Sequence, residues 1–390
     1  MNLIAAVVAF LILPKARNKW VEQALLGADC TEDEFGRAVA IAGDTAVVAA
    51  PGEYSANSDV CNGTVNVYVH RDDTWCLQAK LFVSQNQTSS YSFFGSSVAI
   101  DGNTVLVAAD SLNTANSSTS LYVFTRTGDS WSMQELTLPL QLQAPIYYQS
   151  VALVGDTAVA ASGGKVYIFR RDSMGGTWSY QALLESPKKD NRFGDTVAIA
   201  DNTIIVSGGD KGCASAYIFV RSARGDWLEQ AQLTTHQSNG SNTVAISGNT
   251  AIIGTPGENL QQGAVYVFER HPSTGEWFEQ TKLVPGDVPP FFAYGFGGSI
   301  AIDRDAIVVG TSTKTFTDTF AFNCYKGGAY VFVRSPVKGG WSQLTKLLPQ
   351  NYNSVAQNYG EVVSISGDKI IVTAGEPINA VYIFKRVNPC

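Results

Sequence analysis

Charged side chains are scarce in this 390-residue chain: Asp, Glu, Lys and Arg make up 16 %, and the formal net charge is −7. Without a basic surplus there is no stripe to meet a phosphate backbone, so nucleic acid is not an expected partner. Histidine is nearly absent, occurring only at His70, His236 and His271, and the six cysteines, Cys30, Cys61, Cys76, Cys213, Cys324 and Cys390, contain no CxxC pair. Zinc-ligand spacing is therefore missing. The apolar run from Leu3 to Leu13 is too short to span a bilayer, so no transmembrane span is expected. No window sustains the apolar period of an amphipathic helix.

What the chain does have is repetition. Its seven tryptophans, Trp20, Trp75, Trp131, Trp178, Trp227, Trp277 and Trp341, each open the same phrase. A polar-then-leucine stretch is followed by a variable loop, an apolar run, a Gly-Asp or Gly-Asn pair, a second apolar run and a Tyr-Val-Phe run. The period is roughly 50 residues, within the range of repeat architectures that build blades.

Trp227 to Phe268 shows the unit best: WLEQAQL, a polar loop, NTVAIS, GN, TAIIGT, the loop PGENLQQG, then AVYVF. Val, Ile, Tyr and Phe crowd each short run and Gly, Pro, Asn and Asp punctuate the gaps, which reads as four strands. The Gly-X pair suits a two-residue hairpin with positive φ at its first position. Asp201-Asn202 and Arg304-Asp305 depart from it, and Asp and Asn tolerate positive φ better than most residues. Runs such as Thr45 to Ala50 are apolar at nearly every position, so both faces must be covered. Radially packed blades supply that cover, and the expected fold is an all-β, seven-bladed β-propeller of four-stranded antiparallel blades. The chain opens with a lone outer-type strand, Trp20 to Leu26, and ends with a blade that lacks one, Tyr359 to Arg386. Pairing the N-terminal strand with the last blade closes the ring and hides both unpaired edges. Residues 20–390 then form one domain.

Phe35-Gly36, Phe94-Gly95, Phe193-Gly194 and Phe296-Gly297, each leading into a VAI-type strand, resemble the FG-GAP repeat of integrin α-subunit propellers, and Ala50-Pro51-Gly52 and Thr255-Pro256-Gly257 resemble its second half. Blades three and five depart, with Tyr148-Gln149 and Ser241-Asn242 at the Phe-Gly position. The resemblance implies a propeller used for extracellular recognition or adhesion. Integrin-type blades often carry a DxDxDG calcium loop between their first two strands. Here that connection is a two-residue turn, which cannot supply calcium's six to eight oxygens. No cofactor is expected, and calcium is not inherited from the family.

Residues 1–19 read either as a secretory signal, although a basic n-region is missing, or as a degenerate strand. Secretion or cell-surface display is the expected location, with the cytoplasm as the alternative. Cys30 and Cys61 fall in two loops of blade one that emerge on one face, and pair as a disulfide or stand as free thiols. Four sequons, at Asn62, Asn86, Asn116 and Asn239, fall in loops of that face and support a secreted glycoprotein weakly.

Connections leaving the second and outer strands emerge together, so function is expected on that long-loop face. Blade six is the most unusual there, with Phe291, Phe292 and Tyr294 in one loop and Phe316, Phe320, Phe322 and Tyr325 in another. These aromatics either pack as a lid or form a recognition patch. Blade one gathers Asp29, Glu32, Asp33, Glu34, Glu53 and Asp59, a solvated acidic loop or an unorthodox calcium or basic-partner site. Blade four carries Lys188, Lys189, Arg192 and Lys211, making the face electrically lopsided.

Arg224-Gly225-Asp226 spells an integrin-recognised tripeptide, but Thr127-Gly128-Asp129 and Thr274-Gly275-Glu276 show that the hairpin itself wants Gly-acid. His70 and His271 belong on the short-turn face and His236 on the other, so they do not converge for a triad or metal site. Glu53, Glu258 and Glu376 near the ring's mouth are the remaining route to glycoside chemistry, and each is equally explained by a turn role. The sequence therefore points to a monomeric, non-catalytic propeller binding an extracellular protein or glycan. A carbohydrate-active propeller enzyme and a structural surface protein are the alternatives.

Overall fold

The computed structural model describes residues 19–27, 34–52, 63–83, 92–111, 119–137, 150–162, 164–173, 176–188, 192–210, 213–235, 242–286, 295–311, 327–337, 339–350, 359–375 and 379–387. These form seven four-stranded antiparallel sheets arranged as the blades of a propeller. Blade five is representative, with strands Thr243–Ser247, Thr250–Thr255, Ala264–Arg270 and Trp277–Leu283 from the central channel outward. Blade seven is completed from the other end of the chain: Lys19–Gly27 lies against Ala380–Val387, with Trp20 opposite Arg386 and Leu26 opposite Val381. Blades seven and one then pack through their inner strands, and the ring is closed.

Second strands are buried on both faces, Thr45–Ala50, Thr250–Thr255 and Ala306–Thr311 at every residue. The core is accordingly not one mass but seven slabs, one between each pair of neighbouring blades. The Phe-Gly phrases explain how the slabs close. Phe94 is buried edge-on between Tyr122 and Phe124 of its own blade, with ring centroids 5.8 and 5.9 Å apart, and Phe193 and Phe296 repeat the arrangement. The glycine that follows has φ of 99° at Gly95 and 93° at Gly297, where a Cβ would strike the preceding blade. Tyr359-Gly360 of blade seven does the same, with Tyr359 against Tyr382 at 5.6 Å and Gly360 at φ 91°. In blade five the departure Ser241-Asn242 is compensated: buried Asn242 donates through Nδ2 to the carbonyls of Gly208 and Ser215 in blade four, at 2.5 and 3.0 Å.

The inner hairpins carry positive φ at their first turn residue, between 52° and 60° at Gly43, Gly102, Gly155, Gly248 and Gly367. Asp201 adopts it as expected, but in the Arg304-Asp305 turn it falls on Arg304 (φ 53°), not on the aspartate. That arginine's N–H donates to Ser247 Oγ of blade five at 3.0 Å. Gly43, Gly155 and Gly367 likewise donate to Ser366, Asp101 and Asp303 of the preceding blade. The loop expected after Thr255 contains one helical turn, Glu258–Gln261.

The outer strands show why tryptophan and glutamine recur together. A β-bulge in each outer strand but that of blade two displaces one residue, including Gln23, Gln78, Gln181, Gln230 and Gln280. A bulge re-aims a side chain, and at two junctions it turns the glutamine to the next blade's tryptophan. Gln23 Oε1 accepts from Trp75 Nε1 and Gln230 Oε1 from Trp277 Nε1, both at 3.1 Å.

Candidate functional site

The connections 53–62, 84–91, 138–149, 287–294 and 312–326, expected on the long-loop face, lie outside the described residues. The aromatic set Phe291, Phe292, Tyr294, Phe316, Phe320, Phe322 and Tyr325 lies outside the described residues. So do Asp29, Glu32, Asp33, Glu53 and Asp59 of the acidic group, the candidate pair Cys30 and Cys61, and Lys189, Lys211, His236 and Glu376. Among the described residues, Cys76 and Cys213 are free thiols, no group of His, Cys, Asp and Glu is arranged to hold a metal, and no helix is long and apolar enough to cross a membrane.

Two of the candidate carboxylates, Glu34 and Glu258, are described, and both have a place in the fold. Glu34 adopts φ 50° and its carbonyl accepts from Arg37 N at 3.0 Å, forming the turn that leads through Phe35-Gly36 into blade one. Arg37 then faces Glu361 of blade seven across the mouth at 3.7 Å. Glu258 is buried and accepts from Thr255 Oγ1 at 2.8 Å, Tyr266 Oη at 2.9 Å and Lys282 Nζ. Burial, and then the neighbouring Glu258 carboxylate, push the Tyr266 phenol up. Burial alone would lower the Lys282 ammonium, but the bond and charge of Glu258, with Tyr266, together outweigh it and raise it. A carboxylate held by three donors is a structural tie. Glu258→Ala should cost about 2–3 kcal/mol, because Tyr266 and Thr255 lose their acceptor inside the fold. Urea midpoints measure this, and a loss below about 0.5 kcal/mol, the range of ordinary surface changes, would return Glu258 to a solvated turn.

The short-turn face is almost entirely described. At the end of each third strand the repeat places a basic residue opposite the blade's own tryptophan. Arg126, Arg171 and Arg334 stack on Trp131, Trp178 and Trp341, with guanidinium carbons 5.4, 5.5 and 4.8 Å from the ring centroids. They also cross to the threonine that opens the preceding blade's second strand, Arg126 to Thr45 at 3.2 Å and Arg334 to Thr250 at 2.6 Å.

Blade one substitutes both members of this pair at the seam. His70 takes the arginine position, its ring 5.2 Å from Trp75, and Lys369 takes the threonine position. Gln23 Oε1 is occupied by Trp75, so its Nε2 donates to His70 Nε2 at 2.8 Å. The proton of His70 therefore sits on Nδ1, 3.3 Å from Asp44. Lys369 bonds both Asp44 and Asp368 at 3.1 Å. The bond from Lys369 holds the Asp44 carboxyl below its ordinary value. Burial opposes the charge on Lys369, but Asp368 and Asp44 outweigh it and raise its ammonium. The aspartate's contribution is thus present above its ordinary pKa of 3.8 and lost as pH falls through the lowered value. The lysine's is present below 10.5 and lost as pH rises through the raised one. The seam is held throughout the neutral range.

Blade four breaks the pattern. An open cleft of about 740 Å³ between blades three and four is lined by Arg170, Gln181, Asn202, Arg221, Arg224 and Trp227. Its rim is the Arg224-Gly225-Asp226 hairpin, closed by Ser222 N to Asp226 O at 2.7 Å and Gly225 N to Ser222 O at 3.0 Å, with Gly225 at φ 96°. The His271 to Glu276 hairpin has matching bonds, with Gly275 at φ 74°, so the glycine and acid are hairpin requirements. Neither the cleft nor Arg170 was singled out by the sequence. The available signal was the doublet Arg170-Arg171, where the other blades place Val69, Thr125, Val220, Glu269, Val333 and Lys385 before the basic residue.

No curated protein matches the chain in sequence. Among solved structures, a protein of Bacteroides uniformis described provisionally as a 6-phosphogluconolactonase is similar with a TM-score of 0.53 at 12 % identity, over 80 % of this chain and 85 % of that one. A Lactobacillus plantarum protein follows with a TM-score of 0.49 at 14 % identity, over 80 % and 84 %. At these identities the likeness shows the fold alone. The FG-GAP repeat profile matches residues 20–69 and 75–124, each running from the outer strand of one blade through the third strand of the next. The chain therefore carries FG-GAP repeats on a seven-bladed β-propeller, consistent with an FG-GAP propeller family.

Proposed function

We propose that this chain is a non-catalytic, extracellular recognition propeller that binds a protein or glycan through its long-loop face. The observation that carries the reading is the asymmetry of the ring. At one face the strands are joined by short hairpins, while at the other their ends are separated by the longer stretches of sequence, including the one between Ala306–Thr311 and Gly328–Arg334 that holds four of the blade-six aromatics. A rigid scaffold with variable loops on one side is the usual geometry of a binding protein. FG-GAP repeats, which resemble those of integrin α-subunits, favour the same role and a secreted or cell-surface location. On this reading residues 20–390 act as one monomeric domain without a cofactor, and nucleic acid is not a partner. Glycoside hydrolysis needs a pair of free carboxylates, and Glu258, the described member of its three candidates, is spent on the fold.

The test is a screen of the purified chain on glycan and extracellular-protein arrays, with and without calcium, beside the variant Phe291→Ser, Phe292→Ser, Phe320→Ser. Loss of a ligand by at least tenfold in a variant that keeps its denaturation midpoint places the site on blade six. Retention moves it elsewhere, with calcium dependence pointing to blade one. Absence of any ligand favours a structural surface protein.

A further inference from the structure

The cleft between blades three and four gathers three arginines, Arg170, Arg221 and Arg224, that make no ion pair among the described residues. Two junctions further round, Glu269 of blade five accepts from Arg334 of blade six. The residue in the Glu269 position of blade three is Arg170, and it faces Arg221 of blade four. Where the blade five and six junction places an ion pair, this one places two like charges, and burial and then Arg170 lower the proton affinity of Arg221. Arg221 neither stacks on Trp227 nor reaches a threonine as Arg126 and Arg334 do. Among the described residues no carboxylate lies within ion-pair distance of Arg170, Arg221 or Arg224. Asp226 shares the rim but does not pair with them.

The glutamine–tryptophan bond made at the Gln23–Trp75 and Gln230–Trp277 junctions is not made between Gln181 and Trp227, as it is not between Gln280 and Trp341. What sets Trp227 apart is that it lines an open cleft without the arginine stack that covers Trp131, Trp178 and Trp341. Arg270 also lacks a side-chain acceptor among the described residues, but Val220 faces it from blade four and its tryptophan is bonded. Among the described residues, blades three and four combine like charges with an open cleft.

We propose that this cleft binds an acidic sugar, an oxyanion carried on a hydroxylated ring, on the face opposite the long loops. Arg170, Arg221 and Arg224 take the sulfate or carboxylate, guanidinium geometry matching both. Trp227 and Asn202, which line the same cleft, meet the sugar ring and its hydroxyls. The cleft's volume exceeds what a bare ion fills and its lining is polar, which suits a sugar of one or a few rings.

The experiment is calorimetric titration of the full chain with three probes: a sulfated, uronate-containing tetrasaccharide, its desulfated form that keeps the carboxylates, and its desulfated, carboxyl-reduced form. Binding of the first, at least tenfold weaker for the neutral third, is expected, and the second tells which oxyanion is read. Arg221→Gln and Arg170→Gln should each weaken binding about 10- to 100-fold, the range of one charge-assisted contact. Arg270→Gln should leave it unchanged, and Asp226→Asn should tighten it. Arg170→Gln also removes like-charge repulsion, so it should raise the denaturation midpoint while losing affinity, a pairing that misfolding does not produce. The triple aromatic variant of blade six should bind these probes as the parent does. Absence of binding to the first probe, equal binding of the neutral form, equal losses from Arg270→Gln and Arg221→Gln, or inorganic sulfate binding as tightly as the tetrasaccharide would each overturn the proposal.

Discussion

Gly297→Ala should cost about 3–5 kcal/mol, while Gly43→Ala should cost only about 1 kcal/mol, although both glycines have positive φ. The difference lies in what a new Cβ would meet. At Gly297 (φ 93°) it would sit 2.7 Å from the backbone carbonyl of Ala264 and 3.2 Å from the Cα of Gly254, both in the preceding blade. Those atoms belong to strands buried on both faces, so the contact cannot be relieved by a rotamer change. At Gly43 (φ 57°) the position is open, with nothing within 4 Å, and only the backbone preference is lost. Urea or guanidinium midpoints with unchanged slopes measure the two losses. Equal losses would mean that the Phe-Gly glycine serves its own turn and not the approach of one blade to the next.

Removing the N-terminal residues through Gly27 should abolish the soluble monomer. The strand Lys19–Gly27 is all that covers the outer edge of Ala380–Val387. Without it, eight residues of ladder are bare, and the slabs that hold Trp20 and Leu26, each 7 % exposed, lose those side chains. An uncovered apolar edge is a template for intermolecular pairing, so size-exclusion chromatography should show aggregate. The milder Trp20→Ala should retain the ring at a loss of about 3–5 kcal/mol. A truncated chain that elutes as a monomer with the parent's midpoint would show that six full blades and a three-stranded seventh suffice.

Much of this was legible in the sequence because the signals recur. Seven tryptophans give the blade count, the turn pairs give the inner hairpins, and the unmatched strands at the two ends give the closure. Other features left no readable trace. Tyr359-Gly360 does the work of Phe-Gly but replaces the aromatic by which the phrase is recognised. Asn242 shows its role only once the carbonyls of Gly208 and Ser215 are beside it. The helical turn Glu258–Gln261 is too short for any period to show. Arg304 accepts positive φ because the ladder on either side leaves its turn two residues long, whatever their preferences. The donor cleft is invisible for a related reason: Arg170 and Arg221 stand one repeat apart and become neighbours only when successive blades are laid side by side. The aromatics of blade six and the acidic loop of blade one were the most conspicuous residues, and their placement is what the array experiment must supply.

The serine and aspartate ties between inner hairpins have a consequence for how the molecule counts its own beginning. In each of them a turn amide finds its acceptor on the blade before it, and the tie from Gly43 to Ser366 crosses from blade one to blade seven as the others pass between consecutive blades. The ring thus has a direction of travel but no first member. These ties cross the seam as they cross other junctions, so the same ring could be written from any of several starting points along its length, with the seam moved and every neighbour kept.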